Sequence, residues 1–431
     1  MPSKTPILRQ ETARRLIGDR SFSAGGDRGP VGSPLGAHAG VEVEWLCVST
    51  HNAESHIPLR DTRGAVAAAG TLPGGCRVTF EPGGQLELSS PADLPAAACQ
   101  AVAEDLAHLR RHLSDYGITL AGMGRDPLRP ERRVLQSPRY VAMEQYFDAL
   151  GSLGRVMMCG TASVQANVDL GSGPDADAND ANSEARWRQA QRIGPTLAAA
   201  FANSPFQGGG PSGWRSTRLA VWQALDATRT SPVGMWSPGR DAWATYAFNA
   251  RVMLIRVGED RFVPVTDGLT FGEWMFRGHE LGYPDAGDLE YHLSTLFPPV
   301  RPRGWLELRM IDSLPDPWWR VPPLVATALV ADPEAAERAA RACAGATELW
   351  MEAARVGLSH PALAAAAAEC LEAAIDALPR IGAFGGAAWA VEAFHDQYTS
   401  RGRCPADDLL DAWASTGALF PNDQPLEPAW T

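Results

Sequence analysis

From Val41 onward, apolar and polar positions alternate in short runs bounded by Gly or Pro, and each run reads as a strand. VEVEWLCV, CRVTFEPGGQLELSS, MMCGTASVQANVDLG, ATYAFNARVMLIRV and GWLELRMIDS are predicted as strands of an antiparallel or mixed sheet. Between them lie LPAAACQAVAEDLAHLRRHLSDYG, SPRYVAMEQYFDALG and EARWRQAQRIGPTLAAAFANSP, where apolar residues recur at helical spacing. The order is α+β. After Pro322 the chain turns to Ala, Glu and Leu, and PEAAERAARACAGATELWMEAARVG, HPALAAAAAECLEAAIDALP and PADDLLDAWAS predict a helical C-terminal region. The expected organisation is an N-terminal arm over residues 1–40, a main domain over 41–330, and a helical region over 331–431 packed on the same domain. In the arm, residues 9–19 predict a short helix, and the Gly, Ser and Pro that follow predict mobility. Residues 171–184 predict a polar acidic loop, since EF-hand spacing is absent.

The alternation sorts side chains by face. In VEVEW, Glu42 and Glu44 project on one side while Val41, Val43 and Trp45 project on the other. In QLELSS, Leu86 and Leu88 take the core face and Gln85, Glu87 and Ser89 the opposite one, with Glu81 just before a Pro-Gly-Gly turn. In GWLELRMIDS, Leu306, Leu308 and Met310 are core, and Glu307 and Arg309 are not; in ASVQANVD, Ser163, Gln165, Asn167 and Asp169 alternate with apolar residues. One such pair of carboxylates is ordinary on a sheet wetted on one side. Four segments repeating it suggest a common ligand. Like charges raise one another's pKa, and hard divalent cations relieve them; all-oxygen ligands favour Mg2+ or Mn2+ over zinc.

Composition narrows the chemistry. The chain has 431 residues, 45% hydrophobic and 20% charged, with a net charge of -12 that disfavours binding to nucleic acid phosphates. Lys4 is its only lysine and 37 of its 38 basic residues are arginine, which excludes a Walker A loop or a Schiff-base lysine in the main domain. Phosphate chemistry must therefore use arginine, backbone amides or metal ions. Seven scattered cysteines without a C-x-x-C pair read as free thiols in a reducing compartment. With no signal-peptide stretch and no long apolar run, a cytoplasmic protein that spans no membrane is expected.

Other features carry less. His108 and His112 have helical i,i+4 spacing but lie beside Arg110 and Arg111, and read as a solvated face. No G-x-S-x-G elbow occurs. Arg215, Arg218 and Arg229 follow the glycine-rich turn Gly208–Gly210, whose plain reading is a flexible loop. Arginine forks nevertheless suit carboxylate and phosphate bidentately. Trp305, Trp318 and Trp319 flank the acidic strand as core or pocket wall.

Taken in order, GVEVEW, FEPGGQLELS, MMCGTASVQANVDL, FANSPFQGGGPSG with the following Trp222, Asp226 and Arg229, and HLSTLFPPVRPRGWLELRMIDS resemble the plant-type and bacterial glutamate-cysteine ligases over roughly residues 40–320. The arginine-rich chain and its tail FHDQYTSRGRCPADDLLDAW resemble the actinobacterial branch that serves ergothioneine synthesis. The resemblance implies a curved antiparallel half-barrel sheet of the glutamine synthetase and guanido kinase type, flanked by helices. It also implies ligation of L-glutamate to L-cysteine through a γ-glutamyl phosphate, with ATP as co-substrate and two or three Mg2+ ions. Glu42, Glu44, Glu81, Glu87 and Glu307 are the implied metal ligands, and Arg309 and Glu42 the implied catalytic residues. Gln165, Asn167, Asn203, Arg215, Arg218 and Arg309 are the implied substrate or nucleotide ligands. Plant-type members have lysine where Gly210 stands, so that contact falls to Arg215, Arg218 or backbone amides. Gln165 matches plant-type members, whereas distant relatives have a metal-ligating histidine. Two other readings stay open: a γ-glutamyl ligase with another amine acceptor, and a non-catalytic binder of nucleotide or amino acid. Oligomeric state and the role of residues 20–40 also stay open.

Overall fold

Seven strands form one antiparallel sheet in the computed structural model, which describes residues 8–23, 37–171, 176–235 and 238–420. They are β1 (Ala39–Ser49), β2 (Arg77–Phe80), β3 (Leu86–Ser89), β4 (Ile118–Ala121), β5 (Ser163–Val168), β6 (Val300–Pro302) and β7 (Leu306–Asp312). The order across the sheet is β6-β7-β5-β1-β3-β2, with β4 pairing the far end of β1. The α+β expectation is borne out, with an open antiparallel sheet flanked by helices. One face is apolar, as the alternation requires: Val41, Val43, Trp45, Leu86, Leu88, Val164, Ala166, Leu306 and Leu308 are buried there. Helices Pro95–Asp115, Ala176–Ala200 and Val321–Ala331 cover it. The last is buried at every position, so it serves as a second layer of core beneath the C-terminal helices.

A single buried apolar cluster runs from Leu8 and Ile17 through the sheet to Cys370 and Tyr398. The helix Gln10–Phe22 is part of it: Ala13, Ile17 and Phe22 are buried, and Phe22 meets Trp187 edge-on. Of the arm expected to be mobile, residues 24–36 lie outside the described residues. A second apolar cluster joins Met143, Tyr146, Phe147, Met157, Met158, Val221 and Met253 on the sheet's other side. All seven cysteines are free, and six of them are buried.

Three local expectations are corrected. The acidic segment over 171–184 is helical from Ala176, because alanines and N-terminal acidic residues such as Asp180 and Glu184 suit a helix start; residues 172–175 lie outside the described residues. Met157–Gly160 ends the helix Leu153–Gly160, so only Ser163–Val168 of that run is strand. Ala244–Asn249 belongs to the helix Gly239–Asn249, where buried Trp243, Ala244 and Ala247 follow the 3.6 period; a short strand, Leu254–Arg256, comes after it. The helical C-terminal region is borne out, its first run forming two helices, Pro333–Ala342 and Trp350–Val356, on either side of a short turn at Cys343–Gly345.

Candidate active site

Strand register assembles the site. Glu42 stands opposite Ser89 on β3 and Gln165 on β5, while Glu44 stands opposite Glu87, itself opposite Thr79 of β2. Directly paired residues share a face, so the carboxylates line up at the centre of the sheet. Arginines flank them towards both edges: Arg77 pairs with Ser89 on β2, and Arg301 pairs with Glu307 on β6. Glu81 enters from the turn between β2 and β3. That turn needs its glycines, since Gly84 has φ +92° and a Cβ on Gly83 would come within 2.2 Å of the Cys159 carbonyl oxygen. A bulge in β7 between Leu308 and Ile311 interrupts the pairing with β5. Arg309 lies within it and reaches across the sheet, where Nη1 donates to Gln165 Oε1 at 2.7 Å.

These side chains line a cavity of about 520 Å3. All five predicted glutamates face it, together with Gln165, Arg218 and Arg309. Its far wall comes from the helices Pro138–Asp148, Leu153–Gly160 and Thr217–Leu225, which contribute Tyr140, Met143, Met158 and Trp222.

The carboxylates fall into two electrostatic classes. Oxygens of Glu44, Glu81 and Glu87 lie within 4.8 Å of one another, and none of the three is ion-paired among the described residues. Burial raises the pKa of each, and mutual repulsion adds to it for Glu81 and Glu87. Glu42 is pushed up to about 7 by burial and by Glu307 and Glu87. Glu307 is the opposite case. Burial works against its charge, but Arg301 and Arg309 outweigh it and hold the carboxyl well below the usual range. Arg301 grips both oxygens, with Nη2 to Oε1 at 3.0 Å, Arg309 lies 3.2 Å from Oε2, and Arg303 stands 3.5 Å from Oε1. Gln165 bridges the two classes, its Nε2 donating to Glu44 at 3.1 Å while its Oε1 accepts from Arg309. Three convergent oxygen donors without a counter-charge fit a hard divalent cation such as Mg2+ or Mn2+.

Three predicted ligands are not brought to this cavity. Asn167 accepts from Trp305 Nε1 at 3.0 Å, which fixes the turn before β7. Asn203 is buried and donates to the Gly122 and Ser313 carbonyls. Arg215 pairs with Asp407 of the C-terminal helix Pro405–Thr416 at 2.6 Å. Gly208–Gly210 also stands away from the cavity, and Gly209 N donates to Pro127 O. His108 is tied to the Ala69 carbonyl.

Sequence reading missed Arg77, Arg139, Arg301 and Arg303. Arg77 precedes VTF in the alternation, and Arg301 and Arg303 sit one strand before the acidic one, so periodicity could have found them. Arg139 comes from a helix and carries no such signal. Asp312 was also passed over. Placed on the polar face by the bulge, it accepts from Asn203 N, Ser204 and Ser216 and lies 3.8 Å from Arg218, fixing the loop that brings Arg218 to the cavity.

Residues 38–424 match the family described as Glutamate-cysteine ligase family 2. The glutamate-cysteine ligase EgtA of Mycolicibacterium smegmatis is 43% identical over 377 residues, 86% of this chain and 85% of the relative. EgtA of Mycobacterium tuberculosis is 40% identical over 392 residues, 88% of this chain and 87% of the relative. The glutamate-cysteine ligase of Francisella tularensis, solved with AMP, shares the fold with a TM-score of 0.51 at 13% identity, covering 88% of this chain and 85% of that one. No helix among the described residues is long and apolar enough to cross a membrane.

Proposed function

The chain belongs to glutamate-cysteine ligase family 2 and is a ligase, and from that premise we propose that it joins the γ-carboxylate of L-glutamate to the amine of L-cysteine at the expense of ATP. The observation that carries this reading is the uncompensated triad Glu44, Glu81 and Glu87 facing an arginine-lined cavity on one sheet. A carboxylate is a poor acyl donor, because it is anionic and has no good leaving group. Its γ-oxygen therefore attacks the γ-phosphorus of ATP, ADP leaves, and γ-glutamyl phosphate forms. The cysteine nitrogen then attacks the acyl carbon, phosphate departs, and the amine loses a proton. The products are γ-glutamylcysteine, ADP and phosphate, a dipeptide suited to ergothioneine synthesis.

Glu44, Glu81 and Glu87 would hold one Mg2+, and Glu42, with Glu307 sharing its oxygens between arginine and metal, would complete a set of five ligands for two or three ions, which would supply charge neutralisation along the triphosphate. The chain's own residues do the rest by position. Arg309 is held between Gln165 and Glu307 and meets the charge of the transferring phosphoryl group. Gln165 keeps Arg309 and Glu44 at fixed separation. Arg218 is buried with Nη2 bonded to the Arg309 carbonyl, and offers its remaining donors to the α-carboxylate of glutamate. Trp222 and Phe297 exclude water from the acyl phosphate. Residues 41–330 supply every group named, and 331–431 acts as its packing support.

The test is phosphate release with ATP, Mg2+, glutamate and cysteine, omitting one component at a time, with the product identified by mass. A γ-linked dipeptide formed only with all four supports the reading. Phosphate release that ignores cysteine and follows another amine overturns its acceptor.

A further inference from the structure

The acidic triad accounts for one side of the cavity; the wall beside its Glu81 corner is chemically different and has no task in the phosphoryl transfer. Met143 from the helix Pro138–Asp148 and Met157 and Met158 from the helix Leu153–Gly160 all line the cavity, and all are buried. Three thioethers side by side form a polarizable wall. It adjoins the triad, because the Glu81 turn packs on the end of the second helix at Gly83 and Cys159. Gln85 lies on the same side. It is 3% exposed, its Nε2 is committed to the Thr161 carbonyl at 2.7 Å, and its buried Oε1 has no partner. A buried acceptor left unpaired costs free energy unless a ligand supplies the donor.

We infer that Met143, Met157, Met158 and Gln85 form the acceptor subsite, recognising an α-amino acid with a short, soft side chain: the thioethers take the thiol and Gln85 Oε1 accepts from the ammonium. The inference rests on the ligase reading above and names the part of the same cavity that selects the acceptor. Geometry and chemistry agree on this side. The acceptor nitrogen must reach an acyl carbon activated at the triad, and the methionine wall is the cavity surface next to Glu81 that lacks charge. A flexible thioether surface suits a polarizable sulfur, whereas the arginine-rich remainder of the cavity suits carboxylate and phosphate. The methionines also pack into the second apolar cluster, which holds their positions.

The experiment compares kcat/KM for L-cysteine and for L-2-aminobutyrate, which replaces the thiol by a methyl group, in the wild-type chain and in M143L, M157L and M158L. Leucine preserves volume and removes the sulfur. The preference of the wild type for cysteine is expected to fall roughly 2- to 10-fold in at least one variant, the range of a single sulfur contact, while KM for glutamate and ATP stays unchanged. An unchanged preference in all three folded variants overturns the inference, as does a fall that affects both acceptors equally. Gln85→Leu provides an independent arm: KM for both acceptors should rise together with the preference intact, and an unaltered KM removes Gln85 from the subsite. A wild-type chain that ligates no cysteine at all would instead defeat the ligase reading itself, so the two failures are distinguishable.

Discussion

Two buried charge clusters sit close together in this molecule and have opposite character. In the first, Asp226 accepts from Tyr146 Oη and Arg229 Nε, each at 2.8 Å, and from Thr228. Arg229 spends its other donors on the Tyr146 hydroxyl and the Thr295 and Arg251 carbonyls, and is 0% exposed. Burial alone would raise the Asp226 pKa, yet Arg229 and the hydrogen bonds bring it below the ordinary value. In the second, Glu44, Glu81 and Glu87 converge with no ion-pair partner among the described residues, and burial raises their pKa values although Arg218, Arg309 and Arg77 work against it from farther off. The first cluster closes on itself and supports the fold; the second is complete only with something bound. Both descend from conspicuous sequence motifs, so conspicuousness alone does not separate support from chemistry. The presence or absence of a counter-charge does.

The sharpest break of this contrast is Glu44→Gln, with Glu42→Gln beside it. Either should lower kcat by about a hundredfold to a thousandfold or more, the scale of removing one transition-state charge contact. Unfolding temperature without metal should hold or rise, because a repelling charge has gone. Full turnover in both variants would remove the metal assignment. Arg229→Met should do the reverse, costing about 3–5 kcal/mol of stability by stranding Asp226, as read from urea unfolding. Its activity per folded molecule should stay near wild type. If Arg229→Met instead abolished turnover at unchanged stability, the first cluster would be catalytic and the contrast would fail.

Protons give a gentler test. Glu42 has an ordinary value of 4.5 and is pushed to about 7, so between those values the folded chain binds protons that the unfolded chain has released. Stability of the metal-free chain should therefore fall as pH rises through that window, by up to about 3 kcal/mol less solvent screening. A divalent cation binds the deprotonated carboxylates, so stabilisation by Mg2+ should be small near pH 5.5 and grow to pH 8, with proton release on titration. An Mg2+-induced shift in melting temperature independent of pH would contradict this. Mn2+ should act in the same direction.

Period-two alternation was sufficient to read most of the sheet, its buried face and Glu42, Glu44, Glu87 and Glu307, because a strand with one wet face displays its chemistry directly in sequence; Glu81 lies in a turn, outside the alternation. What alternation could not show lies where a second structure interrupts it. The bulge that turns Asp312 onto the polar face leaves LELRMID looking regular. Met157 and Met158 precede the β5 run and read as strand, while they end a helix that walls the cavity. Asn203 was an implied ligand because it falls in the matching string FANSPFQGGGPSG; its amide is spent on two backbone carbonyls that only the fold brings near. Local pattern encodes which face a residue occupies. Pairing between distant elements, which decides whether a polar group is already satisfied, is invisible to it.

Arg215 and Arg218 bring that distinction down to three residues of spacing. Both follow the glycine-rich turn and both were expected to meet substrate. The structure gives Arg215 a protein partner, Asp407, and turns Arg218 to the cavity beside Arg309. Arg215→Ala should thus cost only about 1 kcal/mol, the scale of a partly exposed ion pair, with kcat and KM for glutamate within about twofold of wild type. Asp407→Ala should cost more, because Asp407 also accepts from Cys404 N at 2.9 Å at the start of its helix, and the double variant should cost little more than Asp407→Ala alone, since the Arg215 contact is already lost in it. Arg218→Lys, by contrast, should raise KM for glutamate while stability changes little, since lysine keeps the charge and loses the fork. A rise in glutamate KM with Arg215→Ala and none with Arg218→Lys would exchange the two roles.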